Sequence, residues 1–509
     1  MRLDWKVLMS TLIFALCTSA ALVSYTPYSF RWDDSEYLWR SLALTKAFWS
    51  GNVHETRAAM VSVRPPVMTF LGLPWGPLAS WDAAGKCFVT LVAFTALAVA
   101  CSFFLLLRIG LHPLYLVIAG VCVFAALGPY PTGSSLHSEA TAFMVDSLFA
   151  WIAFAAILLI PYEASNPTTS SVSGALARGA LWAGILSFGA VTKLSFLYFI
   201  AVIIPVLLVV RAWRSGLRNA FLSLASLSVC SLPAIIYWLR YGRIILDYGR
   251  AAAFGHTADY YFVPFSRFVS ETLQQSPGLW TSLLLTLALG GYLILKRSDL
   301  FWGSWLLATL ILIGYCAICL VSTNREIRFL LPGIIAFPFL IGIPIFAKDQ
   351  SYSRKTALMM AALVFCVLVL AAIPMRHRLN RECLSASEAV LAQATQSNAR
   401  HVLLATDSST LNAALIRIAI EVSPSRPPVQ TDTLSWNAAF GRSVEDDFHE
   451  IRESDLVVFQ NKEALDSSYT NQRVAEYEQY ARQHFGDAPI KVTDGVRIYG
   501  KSQIDPSKP

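Results

Sequence analysis

The chain has 509 residues, of which 55% are hydrophobic and only 14% charged, with a mean hydropathy of +0.52. A water-soluble fold of this length has no interior large enough for that much apolar surface, so composition excludes one and hands the excess to lipid. The net charge of +7 does not describe a nucleic-acid surface, because its basic residues recur in short clusters between apolar runs.

Apolar stretches near bilayer-spanning length fall at about 7–24, 86–107, 113–129, 139–160, 174–191, 194–210, 219–239, 278–295, 300–320, 328–346 and 356–374. The first is read as a span and not as a cleavable signal, since its apolar run is long for a signal core. Arg2, Lys6, Arg108, Arg178, the cluster Arg211, Arg214 and Arg218, the pair Lys296 and Arg297, and Lys348, Arg354 and Lys355 then fall on one side of the membrane. By the positive-inside rule that side is the cytoplasm. The opposite side receives the long polar segments at about 25–85 and 240–277 and everything after Pro374. The nine cysteines lie mostly inside apolar runs (Cys17, Cys101, Cys122, Cys230, Cys316, Cys319, Cys366) without disulfide or zinc spacing.

After Pro374 the composition becomes that of a soluble α/β unit. A polar helix opens it near Arg376, Arg378, Arg381 and Glu382, strands are expected at His401-Val-Leu-Leu-Ala, Asp455-Leu-Val-Val-Phe-Gln and Val496-Arg-Ile-Tyr-Gly, and a polar helix at about 462–484. Asp407 follows the first strand, where open α/β sheets bind ligands; a turn or helix cap also accounts for it. The expected fold class is a membrane all-α bundle of about eleven transmembrane helices, residues 1–374, carrying an extracytoplasmic α/β domain, residues 375–509.

The residues that could carry chemistry lie on the outer side. The first outer segment begins Ser29-Phe-Arg-Trp-Asp-Asp-Ser-Glu-Tyr, setting Asp33, Asp34 and Glu36 beside the membrane surface, where ionisable groups must be paired or used. Asp33 and Glu36 also have capping-box spacing, which would leave Asp34 free. Ser62-Val-Arg-Pro-Pro-Val follows, its prolines fixing Arg64 in an extended turn. Gly133-Ser-Ser-Leu-His-Ser-Glu-Ala sets His137 and Glu139 at the mouth of the fourth span, where Glu139 also serves as a helix-start charge. Lys193 stands alone in the Thr-Lys turn between two apolar helices, where a lysine can simply snorkel. Ser322-Thr-Asn-Arg-Glu-Ile-Arg-Phe-Leu-Leu-Pro places Arg325 and Arg328 one turn apart.

In this order and on one face, these segments resemble the GT-C superfamily of polyprenyl-phosphate-sugar transferases, particularly the bacterial relatives of protein O-mannosyltransferases and of the lipid A aminoarabinose transferase. The resemblance spans about residues 7–345. The acidic pair followed by Tyr is matched by Asp33, Asp34 and Tyr37, the Arg-Pro-Pro turn by Arg64, Pro65 and Pro66, and the acid opening the fourth span by Glu139. Thr192 and Lys193 match the Thr-Lys turn, and Arg325, Arg328, Phe329 and Pro332 the late arginine segment. The family's second acid is usually Glu, so either aspartate can be the base; Asp33 is preferred, with Asp34 second.

The resemblance implies a glycosyltransferase that moves a sugar from a polyprenyl-phosphate carrier to an acceptor hydroxyl on the outer face. Asp33 or Asp34 would take the acceptor proton, and Lys193, Arg325, Arg328 and Arg64 would hold the donor phosphate. Tyr37, Glu36, His137 and Glu139 would contact substrate. No cofactor is expected, although a divalent cation on Asp33, Asp34 and Glu36 is possible. The expected partners are a lipid-linked sugar donor, a glycan, lipid or protein acceptor and membrane lipid, with no nucleic acid. The expected location is the bacterial inner membrane, with the N-terminus cytoplasmic and the C-terminal domain periplasmic. A transporter or flippase of lipid-linked sugars, an envelope scaffold and an O-antigen-type ligase or polymerase are the competing readings.

Overall fold

The computed structural model describes residues 32–62, 64–76, 82–111, 115–116, 119, 145–165, 171–254, 264–275, 277–296, 300–322, 327–346, 382–408, 411–421, 429–435, 437–438, 441–462, 465, 471–493 and 495–501. The expected spans at about 7–24 and 356–374, most of 113–129, and His137, Glu139 and Arg325 lie outside the described residues. So do the side chains of Asp33 and Asp34, although both stand in a described helix.

That helix, α1 (Trp32–Trp49), is followed by α2 (Val53–Met60) and two short 3-10 segments, Pro66–Phe70 and Leu73–Trp75. The bundle then comprises α3 (Asp82–Ile109), α4 (Val145–Ser165), α5 (Val172–Ala190), α6 (Phe196–Ser215), α7 (Leu217–Cys230) and α8 (Leu232–Phe254). It continues through α9 (Phe265–Gln275), α10 (Pro277–Lys296), α11 (Leu300–Val321), a 3-10 turn at Ile327–Leu330 and α12 (Leu331–Phe346). Among the described residues four helices are long and apolar enough to cross a membrane, or five if one bent pair counts as a span, against about eleven expected along the whole chain. These apolar helices make the chain an integral membrane protein.

Helix α4 is apolar all round, which suits burial on every side, and it packs against α3, α5, α6, α11 and α12. Helices α5 and α7 approach closely through small residues, the usual device where lipid gives helices no hydrophobic reason to associate. A Cβ at Gly179 would collide with the Ser223 carbonyl, while Ser223 Oγ donates to Ala175 O at 2.9 Å and Ser226 Oγ to Leu176 O at 2.8 Å.

The stretch expected as a single span at about 219–239 is instead two helices, α7 and α8, meeting at 58° around Ser231. Pro233 has no N–H with which to continue the ladder of α7, and the Ser231 hydroxyl is bonded to Ser187 at 2.8 Å. Helix α8 runs on to Phe254, so the polar segment expected from about residue 240 begins as helix.

Two residues of the expected cytoplasmic basic face prove to be buried. Glu163, in the last turn of α4, accepts from Arg178 at 3.1 Å and from Trp182 Nε1 at 3.2 Å, and lies 3.6 Å from Arg211. Each of these three charged side chains is at most 4% exposed. Arg178 and Arg211 do share one end of the bundle, as expected, but they serve a carboxylate that has no water to solvate it.

The C-terminal part is a three-layer α/β unit comprising α13 (Glu382–Gln396), β1 (His401–Leu404), α14 (Ala413–Glu421), β2 (Gln430–Thr433), α15 (Val444–Glu453), β3 (Leu456–Gln460), α16 (Val474–Phe485), β4 (Lys491–Thr493) and β5 (Val496–Gly500). The sheet order is β2-β1-β3-β5-β4. Strands β1, β2 and β3 are parallel, and β5 runs antiparallel to β3 and β4. Strand period decides the layers. Val402, Leu404, Leu456 and Val458 face α13 and α14, whereas Leu403, Val457 and Phe459 face α15 and α16. The three expected strands are present; the polar edge strands β2 and β4 were not expected, and the helix expected at about 462–484 is Val474–Phe485.

Glu163→Gln leaves two buried guanidinium groups short of a counter-charge and should cost about 3–5 kcal/mol, measured as a lowered unfolding midpoint of the purified protein in detergent.

Candidate functional site

Helix α1 carries the acid pair in its first turn and is held on two sides. Tyr37, Leu38 and Leu42 are buried with Val67, Met68 and Leu71 of the segment that follows. Gly72 N donates to Ser41 Oγ at 2.8 Å, and a Cβ at Gly72 would collide with Thr45. On the other side lies α14, whose Leu415 and Ile418 join the core of the bundle while Ile416 and Ala419 face the sheet. Ser35 Oγ donates to Asn412 Oδ1 at 3.1 Å, Arg417 stacks over Trp39 at 4.6 Å, and Lys46 pairs with Glu421 at 2.7 Å. Burial pulls the Arg417 guanidinium below its ordinary pKa, with Asp432 and then Glu36 acting in the opposite direction.

The capping-box alternative fails. The helix already begins at Trp32, and Glu36 accepts from its (i, i+4) neighbour Arg40 at 2.9 and 2.8 Å instead of turning back. Asp33 and Asp34 stand one turn before Tyr37.

From Tyr37 a continuous chain of contacts leads to the cationic residues. Arg64 Nη1 donates to Tyr37 Oη at 3.0 Å, and its guanidinium lies 5.1 Å from the ring centre. Pro65 and Pro66 then carry the backbone to Val67, whose N–H donates to Val191 O at 3.0 Å. This bond ties the Arg-Pro-Pro turn to the Thr-Lys turn. Lys193 Nζ lies 4.7 Å from the Phe329 ring centre, and Arg328 Cζ lies 5.5 Å from the same ring. The fold thus brings Tyr37, Arg64, Lys193 and Arg328 into one connected region, with the helical turn of the acid pair at its edge.

Lys193 does not snorkel as a lone charge. It is ion-paired with Asp146 in the first turn of α4 and sits over Phe149 at 5.1 Å. The lysine is 18% exposed and its partner 3%, so a buried carboxylate pins a side chain that is itself only partly buried. Asp146 was missed as a site residue, although an acid within an apolar span is itself a sign that a partner exists. Asn412 and Arg417 were missed as well, because nothing in their local sequence says that α14 will meet α1.

Asp407, expected at a ligand-binding position of the sheet, is 3% exposed and is engaged by Thr433 and Asn471. Among the described residues, no three His, Cys, Asp or Glu side chains are grouped closely enough to hold a metal ion. Glu36 is engaged by Arg40, and the side chains of Asp33 and Asp34 are not among those described.

The architecture as a whole is shared with a solved structure. The chain is similar to the crystal structure of ArnT from Cupriavidus metallidurans bound to undecaprenyl phosphate, with a TM-score of 0.52 and 13% sequence identity, covering 99% of this chain and 99% of that one. No protein-family model and no curated protein sequence matches.

Asp146→Leu strips Lys193 of its counter-charge and should cost about 3 kcal/mol. Adding Lys193→Met should restore most of that loss, as read from the unfolding midpoints of the two variants in detergent.

Proposed function

We propose that the protein is a glycosyltransferase of the bacterial inner membrane that transfers a sugar from a polyprenyl-phosphate carrier to an acceptor hydroxyl on the outer face. The observation that carries this reading is the convergence of Arg64, Lys193 and Arg328 beside the helix of the acid pair, in a fold shared with a protein solved with undecaprenyl phosphate.

The chemistry asks little of the protein. A sugar on a polyprenyl phosphate already has a good leaving group, so displacement needs a base for the incoming hydroxyl and cations for the departing phosphate. Asp33, with Asp34 second, takes the proton as the acceptor oxygen attacks the anomeric carbon, and the sugar is inverted as in inverting glycosidases, with an acceptor in place of water. The bond to the phosphate breaks, and the new charge falls to Lys193 as a compact ammonium and to Arg328, Arg325 and Arg64 as planar donors. Tyr37 holds Arg64 in place, and Glu36, His137 and Glu139 serve the substrate. The soluble α/β unit and the first outer segment lie on the periplasmic side in this reading, and the N-terminus lies in the cytoplasm.

The bend between α7 and α8 favours a second reading, a flippase of lipid-linked sugars, because transporters use broken helices. Those helices bind at the middle of the bilayer, however. The acids of α4 stand in its first and last turns, roughly 26 Å apart along the axis, with none between them. That placement supports chemistry at a surface.

The test is mass spectrometry of envelope glycans, lipids and glycoproteins from a deletion strain complemented with the wild type, Asp33→Asn or Lys193→Met. One sugar modification should vanish on deletion and return only with the wild type, the aspartate variant losing at least about a hundredfold in transfer. Unchanged sugars in every strain would end the enzyme reading, and donor accumulating on the cytoplasmic leaflet would favour the flippase.

A further inference from the structure

In the C-terminal sheet β1 leads to β2 on one side, and the chain returns to β3 on the other. Open α/β sheets bind ligands at the carboxyl ends of the strands where the order reverses in this way. Among the described residues, the chain's own polar groups bond to one another there. Gln460 Nε2 donates to the carbonyls of Thr406 and Leu411, both at 3.1 Å, and Gln460 Oε1 accepts from Ser408 Oγ at 2.5 Å. Gln460 N donates to Thr406 Oγ1 at 2.8 Å. Thr406, Asp407, Ser408, Asn412 and Gln460 are each at most 5% exposed.

The last member of this network faces out of the domain. Asn412 Nδ2 donates to Ser408 O at 3.3 Å, and its Oδ1 accepts from Leu415 N at 3.0 Å, which caps α14. The same oxygen accepts from Ser35 Oγ at 3.1 Å. Ser35 is fully buried and is the residue after Asp34. Apolar packing alone does not set the rotation of α1, because Ser35, Ser41 and Thr45 are buried among its apolar residues. Hydrogen bonds are directional and can do so. Ser41 is bonded to Gly72 N near the middle of the helix, and Ser35 is bonded to Asn412 at its start.

We propose that Asn412 is a positioning residue: the switch point of the C-terminal sheet holds the first turn of α1, and with it Asp33 and Asp34, in register with the cations. The inference rests on the proposed role of that acid pair. Misplacing a reacting group by about 1 Å can cost as much as 100-fold in rate, so one bond at this point matters more for turnover than for stability.

The test uses the full-length protein in the complemented strain, at matched membrane abundance, with the affected sugar quantified. Hydrogen exchange over residues 32–40 and the unfolding midpoint are measured on the same purified variants. Ser35→Ala and Asn412→Ala should each lower transfer roughly tenfold, the scale of one buried hydrogen bond, with faster exchange over the start of α1. For Ser35→Ala the midpoint should stay within a degree or two. Asn412→Asp keeps the acceptor for both Ser35 and Leu415 N but loses the donor to Ser408 O, so it should transfer more slowly than the wild type and faster than Asn412→Ala. The double variant Ser35→Ala/Asn412→Ala should be no slower than Asn412→Ala alone. Lys46→Ala, which removes an exposed docking contact far from the acids, should change nothing. Wild-type transfer by Ser35→Ala, an Asn412→Asp variant as slow as Asn412→Ala, or an equal loss in Lys46→Ala would overturn the proposal. If the wild type itself transfers no sugar, the proposed function falls instead. Exchange over the start of α1 then decides the clamp: unchanged protection in Ser35→Ala refutes it, and lost protection sustains it.

Discussion

A carboxylate buried by protein has no water to fall back on, and the two acids at the ends of α4 organise their neighbours for that reason. Asp146 in its first turn must meet Lys193, and Glu163 in its last turn must meet Arg178 and Arg211. Arg178 lies in the first half of α5, Lys193 in the turn that follows it, and Arg211 near the end of α6. The α5–α6 hairpin is therefore pinned to α4 at both ends, and sliding it by one helical turn would strand a charge at each. The same constraint delivers the Thr-Lys turn to Val67 and hence to Arg64 and Tyr37.

Much of this was legible beforehand. The apolar runs located the helices α3, α5, α6, α10 and α11 to within a few residues, because a long apolar run is a redundant signal. The strands His401–Leu404, Leu456–Gln460 and Val496–Gly500 stood out as apolar runs since both sheet faces are covered. The edge strands Gln430–Thr433 and Lys491–Thr493 gave no such signal, because an edge needs little apolar content. The bend at Ser231 was hidden within a run of adequate length, although Pro233 was there to mark it.

The candidate site was legible by residue type and illegible by partner. Tyr37, Arg64, Lys193 and Arg328 were named from their segments, and the fold connects them through Val67 and Phe329, two residues with no chemistry of their own. The pairing of Lys193 with Asp146 joins positions 47 apart in sequence, and that of Ser35 with Asn412 joins positions 377 apart. Local spacing carries no trace of such contacts. The acid-bearing helix therefore belongs to both halves of the molecule, its inner face set by the bundle and its start by the soluble unit.

The polarity that hid β2 and β4 has a further effect. A domain tethered to a membrane is confined to two dimensions and meets copies of itself far more often than one free in solution. Long apolar sheet margins would then invite neighbouring chains to zip together. Gln430-Thr-Asp-Thr and Lys491-Val-Thr are short, hydrophilic and in part charged, which makes both borders of the sheet poor templates for a neighbouring strand.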